Sequence, residues 1–599
     1  MRHDEILGLL HYLLSPGEEP TVTWAGRWEL AFWALVILLT ALLLLFPSSW
    51  LSRAEDIFRR ISQHRTACIW AIGGAAIAIR TMLLPLIPVP IAVVLDEFSY
   101  LLGADTFASG RLTNPPHAMW IHFETFNVNM YPTYQSMYPP AQGLVLALGQ
   151  KLTGEPWVGV LLSVGVMCGV FCWMLQGWMP PQWALLGGVY AVLRYGIFSY
   201  WINSYWGGAV AAIGGALLLG SLPRLRRQLN WKQGILFVVG LVILANSRPF
   251  EGFLFALPLS LAFLWLVLRS PLPRRQLLAR VVLPVLLLLG VAAAWMLYYN
   301  WRGTGNPLRM AYTINQATYH ISKPFLFQKP YPIPNYHNLP MRTFYMFHEY
   351  PDLLRSHSVW GLQVLMGRKF FCYYVFFVWP LLLLFVPGLM LAARSPELRV
   401  VFIAILLLTL GLTLQLWPAH GHYAAAAAGA VLLIQFHCLR QLRNRRNSDS
   451  LRCFSRAIVL ALFLWMLVPI SDRLWNPYSL DVFPNSNRAD LPREIERARL
   501  QAQVSRWPGQ HLILVHYGAH DVPSKEWVYN RADIDNSKIV WARDMGPDAN
   551  QELLRYFANR HVWYVNHAGT AMILPYSTAG QAQQPTKQLI RGTRNSVPD

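Results

Sequence analysis

The chain predicts a polytopic α-helical membrane protein of about twelve spans, with a small α/β domain near its C-terminal end. Three observations carry that reading. Of 599 residues, 54% are hydrophobic and only 13% charged, against about 25% charged in an ordinary soluble chain. Apolar runs of about the length that crosses a bilayer recur along it. The short connections between those runs alternate between basic and neutral.

The runs lie near 28–46, 67–90, 157–177, 183–200, 207–222, 233–246, 252–268, 281–299, 370–392, 398–416, 423–439 and 456–470. Before them, residues 1–27 are polar and mixed, and the first run is too long for the apolar part of a cleavable signal peptide. The pair 233–268 is interrupted by Asn246-Ser-Arg-Pro-Phe-Glu-Gly252, and a broken helix is tolerated where it lines a cavity.

Orientation follows from charge. Loops 51–66, 223–232, 269–280, 393–399 and 439–456 hold twenty Lys and Arg between them, whereas 199–207, 246–252 and 417–422 hold only Arg248. The basic set is therefore expected in the cytoplasm. The long segments 96–156, 300–369 and 471–599 then fall outside, with both termini, and the protein is placed in the cytoplasmic (inner) membrane. The net charge of +20 is largely this asymmetry, so nucleic acid is dropped as a partner. Five of six cysteines lie in or beside apolar runs, and no CxxC occurs; core packing is expected of them.

The chain thus divides into a polar segment at 1–27 and a membrane module at 28–470 with outer loops 96–156 and 300–369. An extracytoplasmic α/β domain at 471–580 and a disordered tail at 581–599 follow. Within the first loop, 105–111 and Ala141–Lys151 suggest interfacial helices. Trp120, Phe123, Phe126, Tyr131, Tyr134 and Tyr138 are expected at headgroup level. In the last domain, helix Arg493–Val504, strand His511–His516, strand Lys538–Ala542, helix Asn550–Arg560 and strand His561–Val565 alternate as in a parallel sheet.

The chemistry is sought at Val94–Tyr100, VLDEFSY, where Asp96 and Glu97 follow directly on an apolar run. A carboxylate losing hydration there has its pKa raised and becomes a better base. Asp96 and Tyr100 share a helix face, with Glu97 about a quarter turn away. Asp96 is read as the general base and Glu97 as a group that orients the acceptor or a metal; two solvated acids ending a span is the plain alternative.

An acidic pair opening the first large outer loop, with a tyrosine shortly after, resembles the lipid-dependent GT-C glycosyltransferases, in particular the protein O-mannosyltransferase and aminoarabinose-transferase branch. The likeness runs from Leu95-Asp-Glu-Phe-Ser-Tyr100 to Ala108-Ser-Gly-Arg-Leu-Thr-Asn-Pro-Pro116, and more loosely over residues 67–440. One departure is the span at 28–46, which precedes the span leading into the motif. The resemblance implies a GT-C-like fold and transfer of a sugar from a polyprenyl-phosphate donor to a hydroxyl of a lipid, glycan or protein acceptor. It gives Asp96 the role of base; a single base with direct displacement inverts the anomeric centre.

Such a reaction needs cations for the departing phosphate. Arg248, Arg302 and Arg309 are the outer candidates, with Glu251 able to neutralise Arg248 instead. Tyr100, Arg111, Tyr205, Trp206, His420, His422 and Tyr423 are read as pocket residues, the last three from AHGHY at an outer turn. Interfacial anchoring is the alternative for the aromatic and histidine residues. If a divalent cation (magnesium or manganese) takes part, Asp96, Glu97 and Glu124 are its candidate ligands. Arg80, inside the second run, is expected to pair with an acid in the bundle or to lie outside the span. No Walker A, GxGxxG, HExxH or GxSxG pattern is present. A secondary transporter or lipid flippase is the rival reading, weakened by the lack of two related halves.

Overall fold

The computed structural model describes residues 22–46, 49–417, 420–444, 449–465, 491–518, 526–567 and 572–576. The tail 581–599, most of the polar segment 1–27 and the join 466–490 lie outside the described residues.

Each expected run meets a helix: α1 Val22–Leu45, α3 Arg65–Met82, α6 Pro156–Trp178, α7 Pro181–Ala191, α8 Ala209–Arg227, α9 Trp231–Ala245, α10 Pro249–Leu268, α11 Leu283–Thr304, α13 Val359–Tyr373, α14 Leu382–Arg394, α15 Arg399–Leu414, α16 Ala428–Asn444 and α17 Asp449–Trp465. Between them lie α2 Ser49–Ser62, α4 Leu95–Ala108, α5 Pro140–Thr153 and α12 Ala311–Tyr319. Among the described residues, six helices are long and apolar enough to cross a membrane, or seven if a bent pair counts as one span. The structure thus shows a multi-pass helical bundle, and the figure of twelve stands as an expectation.

Two expected spans are interrupted. The run 67–90 stays helical only to Met82, because Pro85, Pro88 and Pro90 withhold the N–H groups that would continue it. Its Arg80 is fully buried. The guanidinium donates to the carbonyls of Ile87 (2.8 Å) and Pro88 (3.2 Å) and to Asn203 Oδ1 (3.0 Å), and so folds the non-helical stretch 83–94 back onto the bundle. The run 370–392 breaks after Val378 and turns by 94° before α14.

The bundle packs closely through small residues. A Cβ added to Gly73 of α3 would stand 2.9 Å from the Gly165 carbonyl of α6, so the backbones meet directly, as in small-residue membrane interfaces. All six cysteines are unbridged, and five are buried.

Four of the five basic connections gather at one end. Glu55 of α2 accepts from Arg443 (2.9 Å) and Arg456 (2.8 Å). Gln176 donates to the Arg65 carbonyl, Arg227 to that of Gly177, and Arg226 to that of Glu397.

At the other end stands an outer layer. α4 and α5 pack against each other, and the chain between them forms the ribbon β1 (Val128–Asn129) and β2 (Gln135–Ser136). No separate helix covers 105–111; α4 runs through to Ala108 and ends at Gly110, whose φ is +76°. Nor do the loop aromatics sit at headgroup level as a set. Phe123, Phe126 and Tyr134 are buried inside the outer layer, Phe126 against Phe344 and Tyr345. Tyr131 is half exposed.

The C-terminal unit contains α18 (Leu491–Val504), α19 (Pro547–Tyr556) and a four-stranded sheet in the order β4-β3-β5-β6. Strand β3 (His511–His516) pairs in parallel with β4 (Ile539–Arg543) and β5 (His561–Asn566), as the alternation of elements implies. The edge strand β6 (Ile573–Pro575) is antiparallel and was not expected. This unit docks on α4. Phe98 stacks on Tyr529 at 4.4 Å, and the Arg497 guanidinium lies 4.8 Å from the Phe98 ring and 4.9 Å from that of Trp541. Asp105 accepts from Arg531 (2.7 Å) and from the Ala532 N–H (2.8 Å).

Candidate active site

The first turn of α4 is built around two adjacent acids with different duties. Val94 is extended and its side chain has no acceptor to cap the helix. Glu97 supplies one. Its Oε2 accepts from the N–H groups of Val93 (2.7 Å) and Val94 (2.9 Å), and its Oε1 from that of Tyr205 (2.8 Å). The structure thus engages Glu97 with backbone N–H groups, and its acceptor- or metal-orienting role stands as an expectation. Glu97 ties the helix start to the turn Asn203–Gly208, where Gly207 and Gly208 take φ of +87° and +126°, angles glycine adopts without a steric cost.

Asp96 points elsewhere. Its Oδ1 accepts from Asn127 Nδ2 (2.8 Å) and from the Tyr138 hydroxyl. Asn127 has φ +59°, the left-handed region that asparagine tolerates better than most residues; its carbonyl accepts from Ser99 Oγ (2.6 Å) on α4. Tyr100, one helical turn after Asp96, stacks on Tyr138 at 4.4 Å and so holds that hydroxyl against the acid. Burial pushes the Asp96 carboxyl up to about 7; the positive charge of Arg248 opposes the rise, Glu97 adds to it and Trp206 opposes it.

Arg248 precedes α10 and lies with its guanidinium 4.5 Å from the Tyr423 ring. Among the described residues that guanidinium makes no hydrogen bond or ion pair. Glu251, three residues on, is buried and accepts instead from Gln415 Nε2 (3.1 Å). Although burial works against its charge, Tyr100, Tyr423, Glu251 and Asp96 together hold Arg248 firmly protonated.

Trp206 forms a wall with the AHGHY turn, its ring 4.8 Å from His420 and 4.6 Å from His422. The Tyr200 hydroxyl accepts from the His422 N–H (2.8 Å) and faces His422 Nδ1 at 3.1 Å. A hydroxyl that accepts from the backbone can direct its own proton at Nδ1, which places the ring proton on Nε2. Burial, with the charges of Arg368 and Arg248, lowers His420 to about 4; burial, with Arg248 and His420, carries His422 well below its usual range. Both rings are neutral at pH 7 and can offer N–H groups but no charge.

The expected residues therefore separate. Asp96, Tyr100, Trp206, Arg248, His420, His422 and Tyr423 come together. Tyr205 is nearby but committed: its hydroxyl donates to the Pro90 carbonyl (3.1 Å) and its carbonyl accepts from Gln142, so it fixes the turn and does not present a stacking face. Arg302 and Arg309 are exposed, and among the described residues neither touches Asp96, Arg248 or the histidines. Arg111 lies beyond the far end of α4, about 20 Å along the axis from Asp96 at 1.5 Å per residue. It donates to Ser109 and acts on Asp533. Glu124 faces His337 (3.1 Å) and Asn338 (3.1 Å). The three acids named for a cation therefore do not converge, and among the described residues no group of three or more His, Cys, Asp or Glu could hold one. Asn127, Tyr138 and Tyr200 were missed as site residues, since their contacts join parts of the chain that no local pattern links.

Fold and site define a multi-pass membrane protein with a half-buried acid, an arginine and two neutral histidines at its outer-layer end. No family model matches the sequence, and no curated protein does. Among solved structures, the chain is similar to ArnT from Cupriavidus metallidurans bound to undecaprenyl phosphate, at 13% identity and TM-score 0.45, over 82% of this chain and 92% of that one. It is also similar to the oligosaccharyltransferase AglB from Archaeoglobus fulgidus in complex with an inhibitory peptide and a dolichol-phosphate, at 11% identity and TM-score 0.37, over 84% of this chain and 69% of that one. The functional reading rests on the chain's own residues.

Proposed function

We propose that the protein is an integral membrane glycosyltransferase. It transfers a sugar from a polyprenyl-phosphate carrier to an acceptor hydroxyl on the outer face of the cytoplasmic membrane. The observation that carries this reading is an acid pushed up to about 7 within electrostatic reach of an arginine whose donors have no hydrogen-bonding partner among the described residues. A base poised near neutrality suits removal of a hydroxyl proton. An arginine with its donors available suits an oxyanion that gains charge as it leaves.

In the proposed step Asp96 takes the acceptor hydroxyl proton as that oxygen attacks the anomeric carbon. The bond from that carbon to the phosphate oxygen breaks, and the carrier phosphate leaves with the electron pair toward Arg248. The neutral His420 and His422 can hydrogen-bond the sugar without competing for the phosphate. Attack opposite the leaving group inverts the anomeric centre.

The test uses purified protein in proteoliposomes with a labelled polyprenyl-phosphate sugar. Asp96→Asn is expected to abolish transfer while leaving thermal unfolding unchanged; turnover near that of the parent in this variant would remove the assignment. A transporter would instead move the labelled carrier with no new glycosidic bond.

A further inference from the structure

We infer that the cleft between Trp120 and Tyr336 in the outer layer is a binding site for a sugar ring of the acceptor. The inference rests on the glycosyltransferase reading and gives its acceptor a chemical class. The cleft is an open recess of about 120 Å³, smaller than an ordinary drug-sized site. Trp120, Tyr131, Tyr319 and Tyr336 line it with rings; Glu124 and Asn335 line it with polar groups. Trp120 and Tyr131 meet edge to face at 5.2 Å, and Tyr131 is 50% exposed.

The floor decides what fits. Glu124 is 3% exposed, held by His337 and Asn338. Carboxyl oxygens accept hydrogen bonds, so they suit hydroxyl donors. The Glu124 oxygens already accept from His337 and Asn338, and their remaining lone pairs suit hydroxyls better than an acyl or prenyl chain, which offers no donor. A pyranose has apolar C–H faces for the aromatic walls and a rim of hydroxyls for the acid, so it matches both surfaces.

The cleft is coupled to the base through the chain itself. Glu124 and Asn127 are three residues apart, at most about 10 Å of extended backbone. Asn127 Nδ2 is hydrogen-bonded to Asp96. One short segment therefore carries the floor of the cleft at one end and the partner of the base at the other.

The test reads binding without turnover. Full-length protein in nanodiscs is titrated with methyl glycosides of glucose, mannose, galactose and N-acetylglucosamine, followed by saturation-transfer NMR, with choline as a cationic control. At least one glycoside is expected to bind saturably. Tyr131→Ala and Glu124→Gln should each weaken it by about tenfold, and Asp96→Asn should leave it unchanged. Tyr131 is half exposed, so its truncation opens no internal cavity and keeps the test valid if Glu124→Gln lowers thermal stability. Binding of no glycoside, equal binding by the parent and Tyr131→Ala, or preference for choline would overturn the inference. Active Asp96→Asn protein would instead remove the base and leave the cleft standing.

Discussion

Asp96 and Glu97 are neighbours in sequence with opposite surroundings: one carboxylate is half-buried with a raised pKa, the other answers three backbone N–H groups. The contrast sets a pH dependence. Asp96 works as a base only when ionised, so kcat/KM should rise with pH through about 7. Arg248 holds that value down, so Arg248→Met should move the acidic limb to higher pH as well as slowing phosphate departure. A pH–rate profile of the two proteins checks the sign, and an unmoved limb would separate the two residues. Glu97→Gln keeps one acceptor but loses charge on hydrogen bonds to Val93, Val94 and Tyr205. It should cost on the order of 1–3 kcal/mol, seen as a lower unfolding temperature. The partly buried setting of Asp96 was legible because an acid pair directly after an apolar run is conspicuous. Its partner Asn127 was not, because the contact spans 31 residues and needs a left-handed turn.

Helix α4 serves two masters. Its first turn carries Asp96, the proposed base, and Phe98 and Asp105 on the same helix grip the C-terminal unit. Arg497 is sandwiched between Phe98 and Trp541 and donates to the carbonyls of Trp527 (2.9 Å) and Tyr529 (3.1 Å). Arg497→Ala removes both ring contacts and leaves those carbonyls unanswered. Hydrogen exchange should then quicken in 526–543 and in α4 together, with a fall in kcat; acceleration in 526–543 alone would show that the grip does not reach the base. Apolar periodicity revealed the helices, and β-branched runs revealed β3 to β5. It did not reveal that the run 67–90 leaves helix at Met82, although Pro85, Pro88 and Pro90 were in view; an apolar count weighs proline no differently from leucine. Nor could it show Arg111 stranded beyond the far end of α4, since helix length sets that distance and the loop motif does not.

At the scale of the whole molecule, charge asymmetry proved informative because like connections do meet. Glu55, Arg65, Gly177, Arg227, Glu397, Arg443 and Arg456 share one end through the contacts that join their loops. The outer segments read as separate in sequence, yet they condense into one layer. Burial of Phe123, Phe126 and Tyr134 there explains why an aromatic-rich loop was mistaken for a membrane belt: composition alone does not say whether a ring faces lipid or another loop. The bond between Arg531 and Asp105 spans 426 residues, and this has a bearing on biogenesis. The strut emerges from the ribosome long after the acid it steadies. A growing polypeptide thus passes most of its synthesis with this part of α4 unbraced.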